Sequence, residues 1–274
     1  MLIRDLTTLD DCVRVVALQK DVWGYDGSED IVPSAVLIVS VKRGGILIGG
    51  LEGEELKGFV YSIPALKDGR LTQWSHMLGV TGDARGTGLG FRLKLAQRER
   101  ALAMGIEEIE WTFDPLQILN AHLNMTRLGA IAEEYEENIY GESTSPLHRG
   151  SPTDRLVALW KLPAPHVERR IHAAGQIVAR DASVMEAPKV IAAVDAGGTL
   201  EPSDPALTLD ARRVLIDVPG EFTDMLAHDP DRARRWRLAT RTAFQTYFGR
   251  GYRAVDFLLG RDRRRGQYLL QRAE

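Results

Sequence analysis

Val80-Thr81-Gly82-Asp83-Ala84-Arg85-Gly86-Thr87-Gly88-Leu89-Gly90 joins an apolar run to a long amphipathic stretch. Leu71–Val80, which leads into it, is the last of three apolar or alternating runs, after Ile46–Leu51 and Lys57–Pro64. Gly, Asp and Glu turns separate the three, the pattern of antiparallel strands. Gly88–Met104, which leads out of it, reads as a helix ended by Gly105. Gly86, Gly88 and Gly90 strip side chains from the turn and the first helical residues. Backbone N–H groups and the positive end of the helix dipole are then directed at one place. Arg85 adds a fixed charge, so the turn suits an anion, and a diphosphate is its natural guest. The same glycines also suit tight strand–helix packing with no ligand.

Two common phosphate loops fit poorly. A P-loop needs Lys-Ser/Thr after its second glycine, and none follows Gly90. A dinucleotide fold needs an acid about 20 residues on, inside a parallel βαβ unit. Asp114 lies at about that distance, but three antiparallel strands before the turn do not suit a doubly wound sheet.

Working outward, Leu2–Leu6 reads as a short strand, and Thr8 or Asp10 can cap a helix through about Val22. Val32–Arg43 is a second helix, entered through Pro33 and closed by Gly44-Gly45. After the long helix come a strand over Glu108–Phe113, a helix over Leu116–Leu128 ended by Gly129, and strands over Ala130–Ile139 and Arg155–Leu162. The order βααβββαβαββ makes the fold class α/β (α+β), with a mixed, mostly antiparallel sheet flanked by helices.

At the glycine turn the chain resembles the GNAT superfamily of acyl-CoA-dependent N-acyltransferases. The superfamily motif Arg/Gln-x-x-Gly-x-Gly/Ala is matched by Arg85-Gly86-Thr87-Gly88-Leu89-Gly90, with Val80 at the expected distance before the arginine. The resemblance covers about residues 1–164 in element order and is residue-specific mainly over 76–105. It is strongest with a little-characterised group of predicted acetyltransferases that carry an extra carboxy-terminal part. Gly82 departs from the pattern, which commonly has proline there.

This resemblance implies a cosubstrate, acetyl-CoA or another acyl-CoA, and no metal. Arg85, Gly86, Thr87, Gly88, Leu89 and Gly90 would hold the coenzyme A diphosphate. The fourth strand would splay from the fifth, and Leu78, Gly79 and Val80 would offer backbone groups to the pantetheine arm. A backbone N–H near Leu78 would stabilise the tetrahedral oxyanion. Asn120 resembles a helix asparagine that bonds pantetheine, displaced by one or two residues. Many members carry a tyrosine four residues before the glycine that ends this helix and use it to protonate the thiolate. Here that position is Met125, and Asn120, His122, Asn124, Tyr135 and Tyr140 are substitutes that spacing does not separate.

Two residues are catalytic candidates. His76 lies on the fourth strand, and its ordinary pKa of about 6.5 suits a general base for an amine. Alternatively it is satisfied by a neighbouring strand carbonyl. Asp114 ends the fifth strand, where it could bind an ammonium group or cap the next helix. Trp23 and the polar loop His148–Arg155 could border an acceptor pocket, with Arg149 or Arg155 pairing a carboxylate.

Charge divides the 274 residues unevenly: 17 basic and 23 acidic side chains in residues 1–164, against 18 and 15 in residues 165–274. Pro163-Ala164-Pro165 marks the same place. We therefore expect an acyltransferase domain over 1–164 and a smaller α/β subdomain over 165–274. In the latter, Val190–Val194, Arg213–Val218, Tyr252–Leu259 and Gln267–Leu270 read as strands. Arg232–Phe248 reads as a helix with Trp236, Ala239, Ala243, Phe244 and Tyr247 near one face. Its arginines are interleaved with acids and lack an aromatic–basic strand platform, so ion pairing is favoured over RNA binding. The subdomain packs on the catalytic domain, shapes the acceptor cleft or forms a homodimer.

A net charge of −3 argues against generic nucleic-acid binding. No apolar run approaches the ~20 residues that span a bilayer. Asp5, Asp10 and Asp11 interrupt any leader-like start, and Cys12 stands alone. These features lead us to expect a cytoplasmic chain. The expected function is transfer of an acyl group, acetyl by default, to a small-molecule primary amine. Succinyl transfer to an amino acid is one alternative, and a non-catalytic acyl-CoA-binding regulatory module is another.

Overall fold

The computed structural model describes residues 1–25, 30–141, 151–173, 176 and 179–272. These fall into two compact units. One holds Met1–Trp111 and Lys161–Pro163; the other holds the remaining described residues. By compactness the main division falls after Trp111. In the second unit β6 pairs with β12 at Ala132 and Ala254.

The first unit contains β1 (Leu2–Asp5), α1 (Leu9–Trp23), α2 (Ser34–Val41), β2 (Ile46–Glu52), β3 (Glu55–Lys67), β4 (Arg70–Val80), α3 (Leu89–Ala103) and β5 (Glu108–Phe113). The last two residues of β5 belong to the second unit. Strand order is β1-β2-β3-β4-β5, antiparallel as far as β4 and parallel between β4 and β5. α1 starts at a capping box: the Asp11 N–H donates to Thr8 Oγ1 (3.1 Å) and the Thr8 N–H donates to Asp11 Oδ2 (3.2 Å). Cys12, Val15 and Leu18 of α1 and Leu37 of α2 pack on Leu47, Leu51, Phe59, Tyr61 and Met77 of the sheet. Each large side chain so buried contributes about 1.5–3 kcal/mol.

α3 lies close to the sheet because the strands beneath it carry glycine. A Cβ on Gly50 would come within 2.5 Å of Leu89 Cδ1, and one on Gly58 within 3.0 Å of Leu89 Cδ2. That approach fixes where α3 begins relative to the end of β4.

The second unit contains α4 (Ile118–Ala121), β6 (Ile131–Glu136), β7 (Arg155–Lys161), α5 (Pro165–His172), β8 (Lys189–Ile191), β9 (Ala193–Ala196), β10 (Thr199–Pro202), β11 (Arg213–Pro219), α6 (Phe222–His228), α7 (Pro230–Gly249), β12 (Tyr252–Leu259) and β13 (Arg265–Arg272). Strand order is β7-β6-β12-β13-β11-β8, and β9 and β10 form a separate hairpin. α7 buries Trp236, Ala243, Phe244 and Tyr247 as expected, but Arg237 and Thr240 rather than Ala239. The expected helix over 116–128 is shorter. α4 gives way to a π-helical turn over His122–Arg127, where Arg170 Nη1 donates to the Thr126 carbonyl (2.7 Å) and Trp160 Nε1 to the Leu128 carbonyl (2.9 Å).

Candidate acyl-CoA site

The turn between β4 and α3 is held at its base by β3. The backbone N–H and hydroxyl of Thr81 both donate to the Lys57 carbonyl (2.9 and 3.2 Å), and Lys57 Nζ donates to Asp83 Oδ2 (2.8 Å). That bond is the main reason the Asp83 carboxyl falls to about 2. The acid inside the turn is therefore already paired with a cation and does not oppose an incoming anion.

Beyond it the backbone turns twice through the left-handed region, at Gly86 (φ 80°) and Gly88 (φ 84°). Only glycine adopts those angles without strain. Gly88 is the N-cap of α3 and provides no side-chain cap, so the first helical N–H groups are left open. Among the described residues no acceptor takes the N–H of Gly86, Gly88, Leu89 or Gly90. A Cβ at Gly86 or Gly88 would meet nothing within 4 Å. Arg85 folds back on the strand, its Nε donating to the Val80 carbonyl (3.3 Å) and its Nη2 to the Val22 carbonyl (3.5 Å). Thr87 Oγ1 donates to the Ala84 carbonyl (2.8 Å). These donors and open space fit a diphosphate.

β4 is irregular where it nears this turn. Ser75 pairs with Ser62 and Met77 with Tyr61, so His76 is an extra residue, a β-bulge. On its other edge β4 pairs with β5 only through Gln73 with Ile109 and Trp74 with Glu110. From Ser75 to Val80 the strand is thus laddered to β3 alone among the described residues. Leu78, Gly79 and Val80 pair there with Val60, Phe59 and Gly58. Trp23 lies against this segment: a Cβ on Gly79 would be 3.0 Å from its ring and 3.0 Å from Phe59. The Trp23 ring meets Phe59 edge-on at 5.9 Å.

His76 is exposed, and its ring meets Tyr61 edge-on at 6.2 Å. Protein packed around the base of the ring lowers its pKa below the ordinary value although its outer edge reaches solvent.

Asp114 lies in the second unit. The residue is 4% exposed, and its carboxylate accepts from Arg237 Nη1 (2.8 Å), Arg237 Nη2 (2.7 Å) and the Leu116 N–H (2.9 Å). Both oxygens accept from a buried guanidinium, and Oδ1 also accepts from the Leu116 N–H at the start of the following segment. Asn120 is exposed on α4, and Met125 is 1% exposed. Of the substitutes for the missing tyrosine, Asn124 is buried and His122 half-buried. Tyr135 donates to Asp154 Oδ2 (2.7 Å), with burial and that carboxylate pushing its hydroxyl far up. Tyr140 shares a hydrogen bond with Thr112 Oγ1 (2.7 Å). Arg155 lies over the Tyr140 ring at 5.5 Å. His148 and Arg149 lie outside the described residues.

One cluster had no signal in the sequence. Lys94 is buried on α3, and its Nζ donates to Gln97 Oε1 (2.7 Å) and Ser75 Oγ (3.1 Å). Among the described residues no group of His, Cys, Asp and Glu could hold a metal ion, and no helix is long and apolar enough to cross a membrane.

The chain is similar in structure to solved GNAT-family acetyltransferases over about 60% of its length. An acetyltransferase of that family from Streptococcus pneumoniae is 18% identical, covering 58% of this chain and 97% of its own, with a TM-score of 0.47. A putative acetyltransferase from Salmonella typhimurium, solved with acetyl-CoA, is 17% identical, covering 66% and 98%, with a TM-score of 0.49. A ribosomal-protein-alanine N-acetyltransferase from Brucella melitensis is 18% identical, covering 58% and 98%, with a TM-score of 0.48. Similarity of this degree assigns no substrate and no residue role to the chain. No family profile and no curated protein match it by sequence.

Proposed function

We propose that this chain is an acyl-CoA-dependent N-acyltransferase that moves an acyl group, acetyl by default, to the primary amine of a small molecule by direct attack. The observation that carries the reading is one continuous feature of the first unit. The edge of β4 freed from β5 over Ser75–Val80 runs into a turn whose Gly86, Gly88, Leu89 and Gly90 N–H groups are open. A linear thioester ending in a diphosphate matches that sequence of donors: amide-like bonds along a strand edge, then backbone N–H groups and a helix dipole for negative charge. Arg85 is within reach to exchange its bonds to backbone carbonyls for bonds to phosphate.

In the reaction a C–N bond forms as the C–S bond breaks, and the proton lost by the amine balances the one gained by the thiolate. His76, exposed at the bulge and held below its usual pKa, is neutral at pH 7 and takes the amine proton directly or through water. A backbone N–H of the β4 segment near Leu78 stabilises the oxyanion. With Met125 buried at the position of the family's tyrosine, water protonates the thiolate.

Turnover separates this reading from a non-catalytic acyl-CoA-binding module. The full chain, given acetyl-CoA or succinyl-CoA and a panel of amines and amino acids, releases free thiol with at least one pair. Binding of both thioesters without thiol release from any pair would favour the binding module.

A further inference from the structure

α3 carries two polar side chains on the face it buries. Lys94 and Gln97 are 2% and 0% exposed, and Ser75 on β4 is 7% exposed. Residues three apart on a helix share a face, and here both reach the same hydroxyl. Lys94 Nζ and Gln97 Nε2 each donate to Ser75 Oγ at 3.1 Å, and Lys94 Nζ also donates to Gln97 Oε1 at 2.7 Å. The amine lies 3.7 Å from the centroid of the Trp111 ring.

The place of this cluster in the sheet gives it meaning. The last rung between β4 and β5 is Trp74 with Glu110. Ser75 and Trp111 are the next residue on each strand, so the cluster sits where the two strands part. Ser75 is also the last regularly paired residue before the bulge at His76. Burying an amine is costly, and leucine or methionine at position 94 would fill the same space without that cost. What the amine adds is a fixed grip on Ser75.

We propose that Lys94, assisted by Gln97, is a positioning residue for acyl transfer: by holding Ser75 against Trp111 it sets the bulge that presents His76 and the closed end of the gap between β4 and β5. The proposal rests on the acyltransferase reading of that gap, and it concerns geometry rather than contact with the substrate.

The test uses the full chain and Lys94→Met, with Gln97→Met and Ser75→Ala as variants that keep the proposal falsifiable if Lys94→Met does not fold. Three quantities are read: amide hydrogen exchange along β4, coenzyme A affinity, and kcat for acetyl transfer to an accepted amine. The expected result is exchange at least tenfold faster over residues 75–78 than in the wild type, with β2 and β3 unchanged. Together with this, kcat drops at least tenfold while the Kd for coenzyme A stays within threefold. Wild-type exchange and kcat in all folded variants would overturn the proposal. So would exchange that quickens evenly across the unit, because Lys94 would then be core packing and nothing more. A wild-type chain that never turns over would end the acyltransferase reading, and the exchange comparison would still decide whether Lys94 sets the bulge.

Discussion

Arg237 on α7 grips Asp114 through both carboxylate oxygens, at 2.8 and 2.7 Å, with the two side chains 1% and 5% exposed. Burial pushes the Asp114 carboxyl up, and the charge and hydrogen bonds of Arg237 more than offset this, leaving it below the ordinary range. A depressed carboxyl pKa contributes stability that is present above the unfolded value near 4 and is lost as pH falls through the folded value. Replacing Arg237 by Met leaves a buried carboxylate alone and is expected to cost about 3–5 kcal/mol. Urea unfolding of the second unit at pH 7 measures it. Were Asp114 an acceptor-binding group instead, Asp114→Asn would raise the KM for the amine and leave stability intact.

Gly88→Glu places a carboxylate in the open turn and forces a side chain onto a residue at φ 84°. Coenzyme A affinity is expected to fall at least tenfold, about 1.4 kcal/mol. Gly69→Glu is the control, since Gly69 has φ 74° and open space within 4 Å but lies in the β3–β4 turn. Calorimetric titration that gives equal affinities for both variants would remove the diphosphate site from the turn.

His76→Ala is expected to lower kcat by about 10²–10⁴, the usual contribution of a general base, with little change in the Kd for coenzyme A. A base acts when deprotonated, so activity falls as pH drops through its pKa. Because crowding lowers the His76 pKa, the acid limb of the kcat profile should lie below pH 6.5 and vanish in the variant. A profile with the same limb in both proteins would assign the titration elsewhere.

The start of α1 provides a stability test remote from the site. Hydrogen bonds from Arg4 are the largest cause holding the Asp11 carboxyl far below its ordinary value, and the N–H groups of Thr8 and Thr7 add to them. Thr8→Ala removes the cap on the Asp11 N–H and is expected to cost about 1 kcal/mol. The share owed to Asp11 persists above about pH 4 and is lost on acidification. Thermal melts at pH 7 and pH 3 should therefore show Asp11→Asn costing more at the higher pH.

The glycine turn, a cap at Thr8 and the succession of elements in the first unit were legible because each depends on neighbours a few residues away. Glycine permits a left-handed backbone that other residues resist, and Gly86 and Gly88 adopt it while Gly90 lies in α3. The π-helical turn over His122–Arg127 was not legible. Arg170 takes its Thr126 carbonyl and Trp160 the Leu128 carbonyl just beyond it, both from more than 30 residues away. Asp114 read as a cap or an acceptor ligand, with the cap slightly favoured, and the arginine that pairs with it is 123 positions distant.

By itself the sequence determined a mostly antiparallel α/β unit with a glycine-rich turn between its fourth strand and third helix, since periodicity and glycine conformation are local properties of the chain. Tertiary structure alone decided that β4 bulges at His76, that it leaves β5 after Trp74, that Lys94 is buried beneath that point, and that the compact units divide after Trp111. Each of these depends on which surfaces meet once the chain is packed. The free energy of a buried amine or carboxylate is set by partners the intervening sequence does not specify.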